Sequence, residues 1–414
     1  MNKIAALKCV ICGREYDADE IEYVCPEHGL NGNLDVVYDY DSIGASFTKE
    51  ALASNSEPSM WRYADLLPIK DRSLIPPLRV GWTPIYRANR IEEQYGIGPL
   101  WIKDDGLNPT GSYKDRASAV GVVKAIEKGK RGITCASSGN AAASLAGVAA
   151  SLGLNTYLFV PEKAPEAKVA QMLVYGAHVM LVKGTYDDAY ELSLKASDKY
   201  GWYSRNSGYN PYLSEGKKTG ALELCEQFKW SPPDNIFVAV GDGCIIGGIW
   251  KGIKDLIALG FIEKIPKIFG VQAEGSSALV KTWKRGDEKI EPVANPRTIA
   301  DSISVGVPRD PVKALRAVRE SDGRFVAVTD QEILDALRIL AKSTGVFGEP
   351  AAAAALAGVL RLTREGVLGQ EESSALMITG NGLKDIKNAM KVAGNPYRIK
   401  PTLSDLERVV QRII

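Results

Sequence analysis

The sequence predicts an α/β protein made of two parallel-sheet lobes, with a small ribbon-like module in front. Three observations lead there. From about residue 98, short apolar runs alternate with amphipathic stretches of helical length, as strand–helix–strand crossovers require. Several of those runs end in turns rich in Gly, Ser and Asn, where open α/β sheets bind their ligands. Before residue 30, two cysteine-containing pairs stand at metal-ligand spacing.

The elements follow in chain order. Residues 9–28 read "CVICGREYDADEIEYVCPEH". Cys9 and Cys12 form a C-x-x-C pair, and Cys25 with His28 forms C-x-x-H after a spacer. Thiolates and imidazole are the ligands tetrahedral zinc prefers, and paired knuckles supply four of them. Two readings stand: a closed structural zinc site, which is the expectation, or a ribbon that has lost its metal. From Asp35 to about Val80 the pattern is irregular and is expected to wrap the larger lobe. "GPLWIKDD" is a strand and "DRASAVGVVKAIEKG" a helix. The strands "GITCASS", "NTYLFVP" and "HVMLVKG" alternate with helices "NAAASLAGVAASLG", "APEAKVAQMLVYG" and "YDDAYELSLKASDKYG". A second series of strands runs through "NIFVAVGDG", "KIFGVQAEG", "GRFVAVTD" and "SSALMITGNG". The expected division is a module at 1–33, a larger lobe from 34–104 and 215–414, and a smaller mobile lobe at 105–214, with the site between the lobes.

Composition narrows the function classes. With 51 basic and 50 acidic residues among 414, nothing favours a polyanionic partner or a membrane surface. Hydrophobic residues make up 45% and charged residues 24%, ordinary for a soluble globular chain. Apolar runs such as "ASLAGVAASLGL" are too short to span a bilayer. The first residues lack the apolar core of a signal peptide, so the expected location is cytoplasmic. Cys135, Cys225 and Cys244 stand singly and read as small core residues rather than a disulfide framework.

Four motifs can carry chemistry. In "NPTGSYKDR" a single lysine, Lys114, follows turn residues at a helix start. Alone it reads better as a surface charge, but a buried amine beside an aldehyde would be a nucleophile. In "ASSGNAAAS", Ser137, Ser138, Gly139 and Asn140 close a strand and open a helix, so their amides can bind a carboxylate or phosphate. "VGDGCIIGGIWKG" is a Gly-rich turn between strand and helix, an anion cradle that matches neither the Walker loop nor the dinucleotide spacing. The remaining motif, "MITGNGLKD", puts the neutral hydroxyl of Thr379 at a strand end.

In this order and spacing, the four motifs resemble the fold-type II enzymes of pyridoxal 5′-phosphate, and among these the chain is most similar to the threonine synthase family. "WRYADLLP", "GWTPIYR", "NPYLSEGKKT", "TIADSISVG" and "GEPAAAAALAG" extend the resemblance over essentially the whole chain, and the N-terminal ribbon occurs in members of that family. The resemblance implies a carbon–oxygen lyase acting on a small amino acid, working as a homodimer without nucleic acid or membrane. It implies that Lys114 forms the Schiff base and moves protons, and that Asn140 contacts the phenolic oxygen of the cofactor. The loop Gly241, Asp242, Gly243, Cys244, Ile245 and Ile246 would cradle its phosphate, while Thr379 faces the ring nitrogen. Glu349 is a weaker ring contact. Ser137, Ser138, Gly139 and Asn210 would hold the substrate.

Two positions depart from the family pattern. The residue after the "SSGN" asparagine, usually threonine, is Ala141, and "NPYLSEGKKT" has Leu213 where arginine is usual. Loss of a hydroxyl and a guanidinium would cost a phosphate site on the order of several kcal/mol. Lys168, Arg205, Lys217 and Lys218 are the cations that could compensate. The alternative is a serine/threonine dehydratase or another enzyme of β-elimination or β-replacement.

Overall fold

The computed structural model describes residues 3–413. Three sheets organise it. The first is an antiparallel ribbon in the order β2 (Glu15–Tyr16), β1 (Ile4–Cys9), β3 (Leu34–Tyr38). Its last strand runs to Tyr38, past the expected module boundary at residue 33, because Leu34–Tyr38 pairs along β1.

The second sheet has six strands. In spatial order they are β12 (Arg324–Val328), β11 (Lys267–Ala273), β10 (Asn235–Ala239), β13 (Ser374–Ile378), β5 (Leu100–Asp104) and β4 (Ile85–Arg87). Five strands are parallel, but β4 pairs antiparallel to β5. The larger sheet is therefore mixed at one edge, a common way to finish an otherwise parallel sheet. "GWTPIYR" gave no periodic signal because an edge strand of three residues is half exposed. The third sheet has the order β8 (His178–Val182), β7 (Asn155–Pro161), β6 (Gly132–Ala136), β9 (Tyr203–Ser204), all parallel. Central strands β6, β10 and β13 are buried throughout, which explains their unbroken apolar sequence.

The ribbon touches both sheets' neighbourhoods. Asn33 Nδ2 donates to the Arg309 carbonyl (2.9 Å) and to Asp310 Oδ1 (2.8 Å), in the segment that follows the large sheet's Gly-rich loop in space. On the other side, Tyr23 accepts a hydrogen bond from the Ser204 amide (2.9 Å) and stacks on Tyr209 at 4.6 Å.

Beneath the cleft lies a buried ionic cluster. Arg116, two residues into the helix Lys114–Glu127, donates Nε to Asp105 Oδ2 (2.6 Å) and Nη1 to Glu223 Oε1 (2.5 Å). Lys103 Nζ lies 2.8 Å from Glu223 Oε2 and donates to the Thr83 carbonyl at 2.7 Å. All four charged side chains are fully buried. Burial alone would raise the Glu223 pKa, but Arg116 and Lys103 outweigh it and hold the carboxyl below its usual range. The cluster joins the end of β5, the Lys114 helix and the helix Tyr212–Gln227.

Removing one member leaves buried charge uncompensated. Arg116→Met is expected to lower the unfolding free energy by about 3–5 kcal/mol, read by urea denaturation; a loss below about 1 kcal/mol would show the cluster to be dispensable. In the parent chain, the Glu223 contribution is full at neutral pH and fades as pH falls below about 4.3, the unfolded carboxyl value.

Candidate active site

Lys114 is the first residue of its helix, and the segment before it is stitched to the end of β13. The Tyr113 amide donates to the Thr379 carbonyl (2.9 Å), Ser112 bridges Gly380, and the Asn381 amide donates to the Gly111 carbonyl (3.0 Å). Asp115, behind Lys114, accepts the Thr110 amide (2.7 Å) and hydroxyl (2.5 Å), which fixes the turn. The "KDR" triplet thus divides its work: Asp115 orders the turn, Arg116 anchors the helix, and Lys114 is left facing the cleft.

The other motifs converge on it. Asn140 opens the helix Asn140–Ala150 directly after the turn that ends β6. Its Nδ2 donates to Glu349 Oε1 at 2.7 Å, and the Glu349 amide donates to the Gly380 carbonyl at 2.9 Å. Gly243 is left-handed (φ +93°) and caps the helix Cys244–Ala258, whose amides open onto the same space. A Cβ at Gly243 would lie 2.6 Å from the Asp310 carbonyl, so only glycine lets the loop sit this close.

One pocket is lined by Lys114, Asn140, Gly241, Asp242, Gly243, Cys244, Ile245, Ile246 and Thr379, all nine predicted cofactor residues. Its mouth continues past Ser137, Ser138 and Gly139. Asn210 does not line it. The Asn210 amide donates to the Ser204 carbonyl (2.8 Å) and its oxygen accepts the Tyr212 amide (3.0 Å), so it serves as a turn residue. Sequence reasoning missed Ser207 and Ser302, which line both pocket and mouth. Their signals, "RNSGYN" and "ADSIS", lie in irregular segments without periodicity. Cys244, expected in the core, is buried yet lines the pocket at the helix start.

The charges in this pocket are unusual. Burial pushes the Lys114 amine below its ordinary pKa, and Arg205 adds to the effect. Lys217, fully buried near Cys244, is lowered to about 8 by burial and by Arg205 and Lys114. The carboxyl of Asp242 is raised by burial. Asn140 Oδ1 is buried with no hydrogen-bond partner. A cleft with a depressed amine, an orphan acceptor, an amide cradle at a helix start and a neutral hydroxyl suits an aldehyde-bearing, phosphorylated aromatic cofactor.

Residues 77–380 match the family described as pyridoxal-phosphate dependent enzyme. A threonine synthase of Methanocaldococcus jannaschii is 40% identical over 407 residues, covering 98% of this chain and 99% of that protein. The chain belongs to the threonine synthase family of pyridoxal-phosphate-dependent enzymes. A threonine synthase of Methanosarcina acetivorans is also 40% identical, over 98% of each chain. Among solved structures, a fungal L-serine ammonia-lyase from Rhizomucor miehei superposes with a TM-score of 0.66 at 22% identity, over 75% of this chain and 96% of that one. That likeness shows the fold shared by family members and more distant lyases.

At the N-terminus, the ligand atoms of Cys9, Cys12, Cys25 and His28 lie within 4.8 Å of one another. Cys9 and Cys25 are buried and Cys12 is exposed. Cys25 Sγ lies 3.4 Å from His28 Nδ1 and 3.0 Å from the Tyr16 hydroxyl. Two thiols, a third at the surface and an imidazole so placed fit a tetrahedral ion.

Two variants probe the pocket. Lys114→Ala is expected to abolish the visible absorbance that develops on adding pyridoxal phosphate, while circular dichroism stays unchanged. Gly243→Ala forces a side chain into the left-handed region at a cost of about 1–3 kcal/mol, so cofactor affinity by fluorescence titration should fall about tenfold or more.

Proposed function

We propose that the protein converts O-phosphohomoserine and water to L-threonine and phosphate. The observation that carries this reading is the convergence of Lys114, Asn140, Thr379 and the Gly241–Ile246 loop on one pocket, in a chain similar from end to end to threonine synthases.

Bound pyridoxal phosphate supplies an aldehyde that links to amines and a ring that withdraws electrons from the neighbouring carbon. The chain's residues do the rest. The Gly241–Ile246 amides hold the cofactor phosphate at the start of the helix Cys244–Ala258. Asn140, its amide group fixed by Glu349, would be the residue that contacts the phenolic oxygen of the cofactor. Thr379, which lines the pocket, would offer the ring nitrogen a neutral hydroxyl, a partner that does not favour a charged ring and would keep electron withdrawal moderate. The amides of Ser137, Ser138 and Gly139 receive the substrate carboxylate. Lys114 Nζ, whose depressed pKa favours the free amine, would take protons from Cα and then from Cβ as phosphate leaves Cγ, and return one to Cγ and one to Cα; the water hydroxyl bonds to Cβ and its other proton passes to the departed phosphate. The smaller lobe, 105–214, closes over the larger to ration water to that one step. Support for a closing movement comes from cross-lobe ion pairs, buried Lys168 with Asp301 at 2.9 Å and Arg309 with exposed Asp187.

A second reading, dehydration of serine or threonine, is favoured by Ala141 and by Leu213, which is buried and apolar where a cation is usual in the family. The two are separated by assaying holoenzyme for phosphate release and threonine formation from O-phosphohomoserine against 2-oxoacid formation from serine and threonine. Threonine formation is the expected result; oxoacid formation without phosphate release would replace the first reading by the second.

The same proposal makes Cys9, Cys12, Cys25 and His28 a structural zinc site. One zinc per chain is expected by elemental analysis, and Cys25→Ser should lose the metal and lower the melting temperature by several degrees. A metal-free parent chain of unchanged stability would refute it. A cytoplasmic homodimer completes the reading. Six cysteines, none in a disulfide, accord with a reducing compartment, and the helix Leu403–Ile413 offers the exposed stripe Leu403, Leu406, Val410 and Ile413 for pairing of two copies.

A further inference from the structure

The strongest unexplained group near the cleft is Arg205. Its backbone continues β9, with its amide donating to the Thr134 carbonyl at 2.8 Å, and its side chain is completely buried. Nε donates to Ser118 Oγ (3.1 Å) and Nη1 to Ser207 Oγ (3.4 Å), while Nη2 has no partner. A buried guanidinium normally meets a carboxylate, because an unpaired one is costly. Asp115 is the acid nearest in effect, but its oxygens are taken by Thr110, and burial outweighs it to lower the Arg205 pKa.

The side chain also has a direction. Lys114, Ser118 and Gly121 form one stripe on the helix Lys114–Glu127, at positions i, i+4 and i+7. Arg205 Cγ lies 3.7 Å from where a Cβ on Gly121 would stand, and Nε reaches Ser118. The chain therefore runs along the stripe toward Lys114, and its terminal nitrogens reach Ser207, which lines the pocket. Leu213 Cδ2 lies 3.0 Å from the same point over Gly121. Leu213 and Arg205 thus pack side by side, and the guanidinium comes from residue 205 rather than from residue 213. Lys217 adds a second buried charge on the same side. Cations so arranged, with an unused donor, form half of an anion site.

We propose that Arg205 is the residue that receives the side-chain phosphate of the substrate, at the side of the pocket lined by Ser207. The site selects amino acids carrying a phosphomonoester over uncharged ones. This rests on O-phosphohomoserine being the substrate, so the test uses two independent readouts.

Binding of inorganic phosphate to the holoenzyme, followed by calorimetry, tests Arg205. Turnover of O-phosphohomoserine tests the function. Arg205→Gln should weaken phosphate binding by tenfold or more and raise KM for O-phosphohomoserine by about a hundredfold, leaving cofactor affinity within twofold. Arg205→Ala with Leu213→Arg should recover much of the loss, which a merely structural role for Arg205 would not allow. Unchanged phosphate binding in Arg205→Gln overturns the proposal, as does a selective loss of cofactor affinity, which would make Arg205 a cofactor ligand. If the parent enzyme binds phosphate through Arg205 yet does not turn over O-phosphohomoserine, the anion site stands and the assigned substrate falls.

Discussion

The ionic cluster of Lys103, Asp105, Arg116 and Glu223 is the constraint on which the site's geometry depends. Four charges without solvent are tolerable only because each nitrogen meets an oxygen at 2.5–2.9 Å. That demand fixes three segments at once: the end of β5, the first turn of the Lys114 helix and the middle of the helix Tyr212–Gln227. The first of these hydrogen-bonds onward to Asn108, whose Oδ1 accepts the Gly81 amide at 2.8 Å. An apolar cluster of the same volume could slide by a fraction of a residue with little loss. An ionic one cannot, and Lys114 inherits its position from Arg116 two residues later.

A contrast in charge follows. Beneath the cleft, every buried cation has its acid. Behind the wall of the cleft, Arg205 and Lys217 are buried near Lys114 with their neighbouring acids committed elsewhere or held toward the neutral form by burial. A protein interior carries such an excess only where ligands bring the missing negative charge. The family's cofactor brings a phosphate, and a phosphorylated substrate would bring another. Stability and affinity are then two sides of one electrostatic account, because ligands relieve a strain that folding has already accepted.

Much of this was legible in the sequence. Buried central strands such as "NIFVAV" and "ALMI" announce themselves by unbroken apolar runs, and the helices between them by period. The pocket residues were legible because each sits where a strand ends and a helix begins, the places marked by Gly, Ser and Asn. Besides Ser207 and Ser302, three things were not legible. The antiparallel β4 is too short to show a period. The role of Asn210 depends on which way its amide turns, and Ser204 and Tyr212 capture it. The course of Arg205 depends on the bare backbone of Gly121, far away in the sequence, and only tertiary packing reveals it.

The N-terminal ribbon holds Asp310 through Asn33 and the 204–209 segment through Tyr23. One anchor belongs to the lobe carrying the Gly-rich loop, the other to the lobe carrying Arg205. A body fastened to both covers of a book acts as its spine. At the fore-edge, by the helix starts Asn140 and Glu166, the ties are side-chain contacts, Asn140 to Glu349 and Lys168 to Asp301. A substrate bound as proposed would have its carboxylate at the edge tied by side chains and its far end at the edge tied by the ribbon.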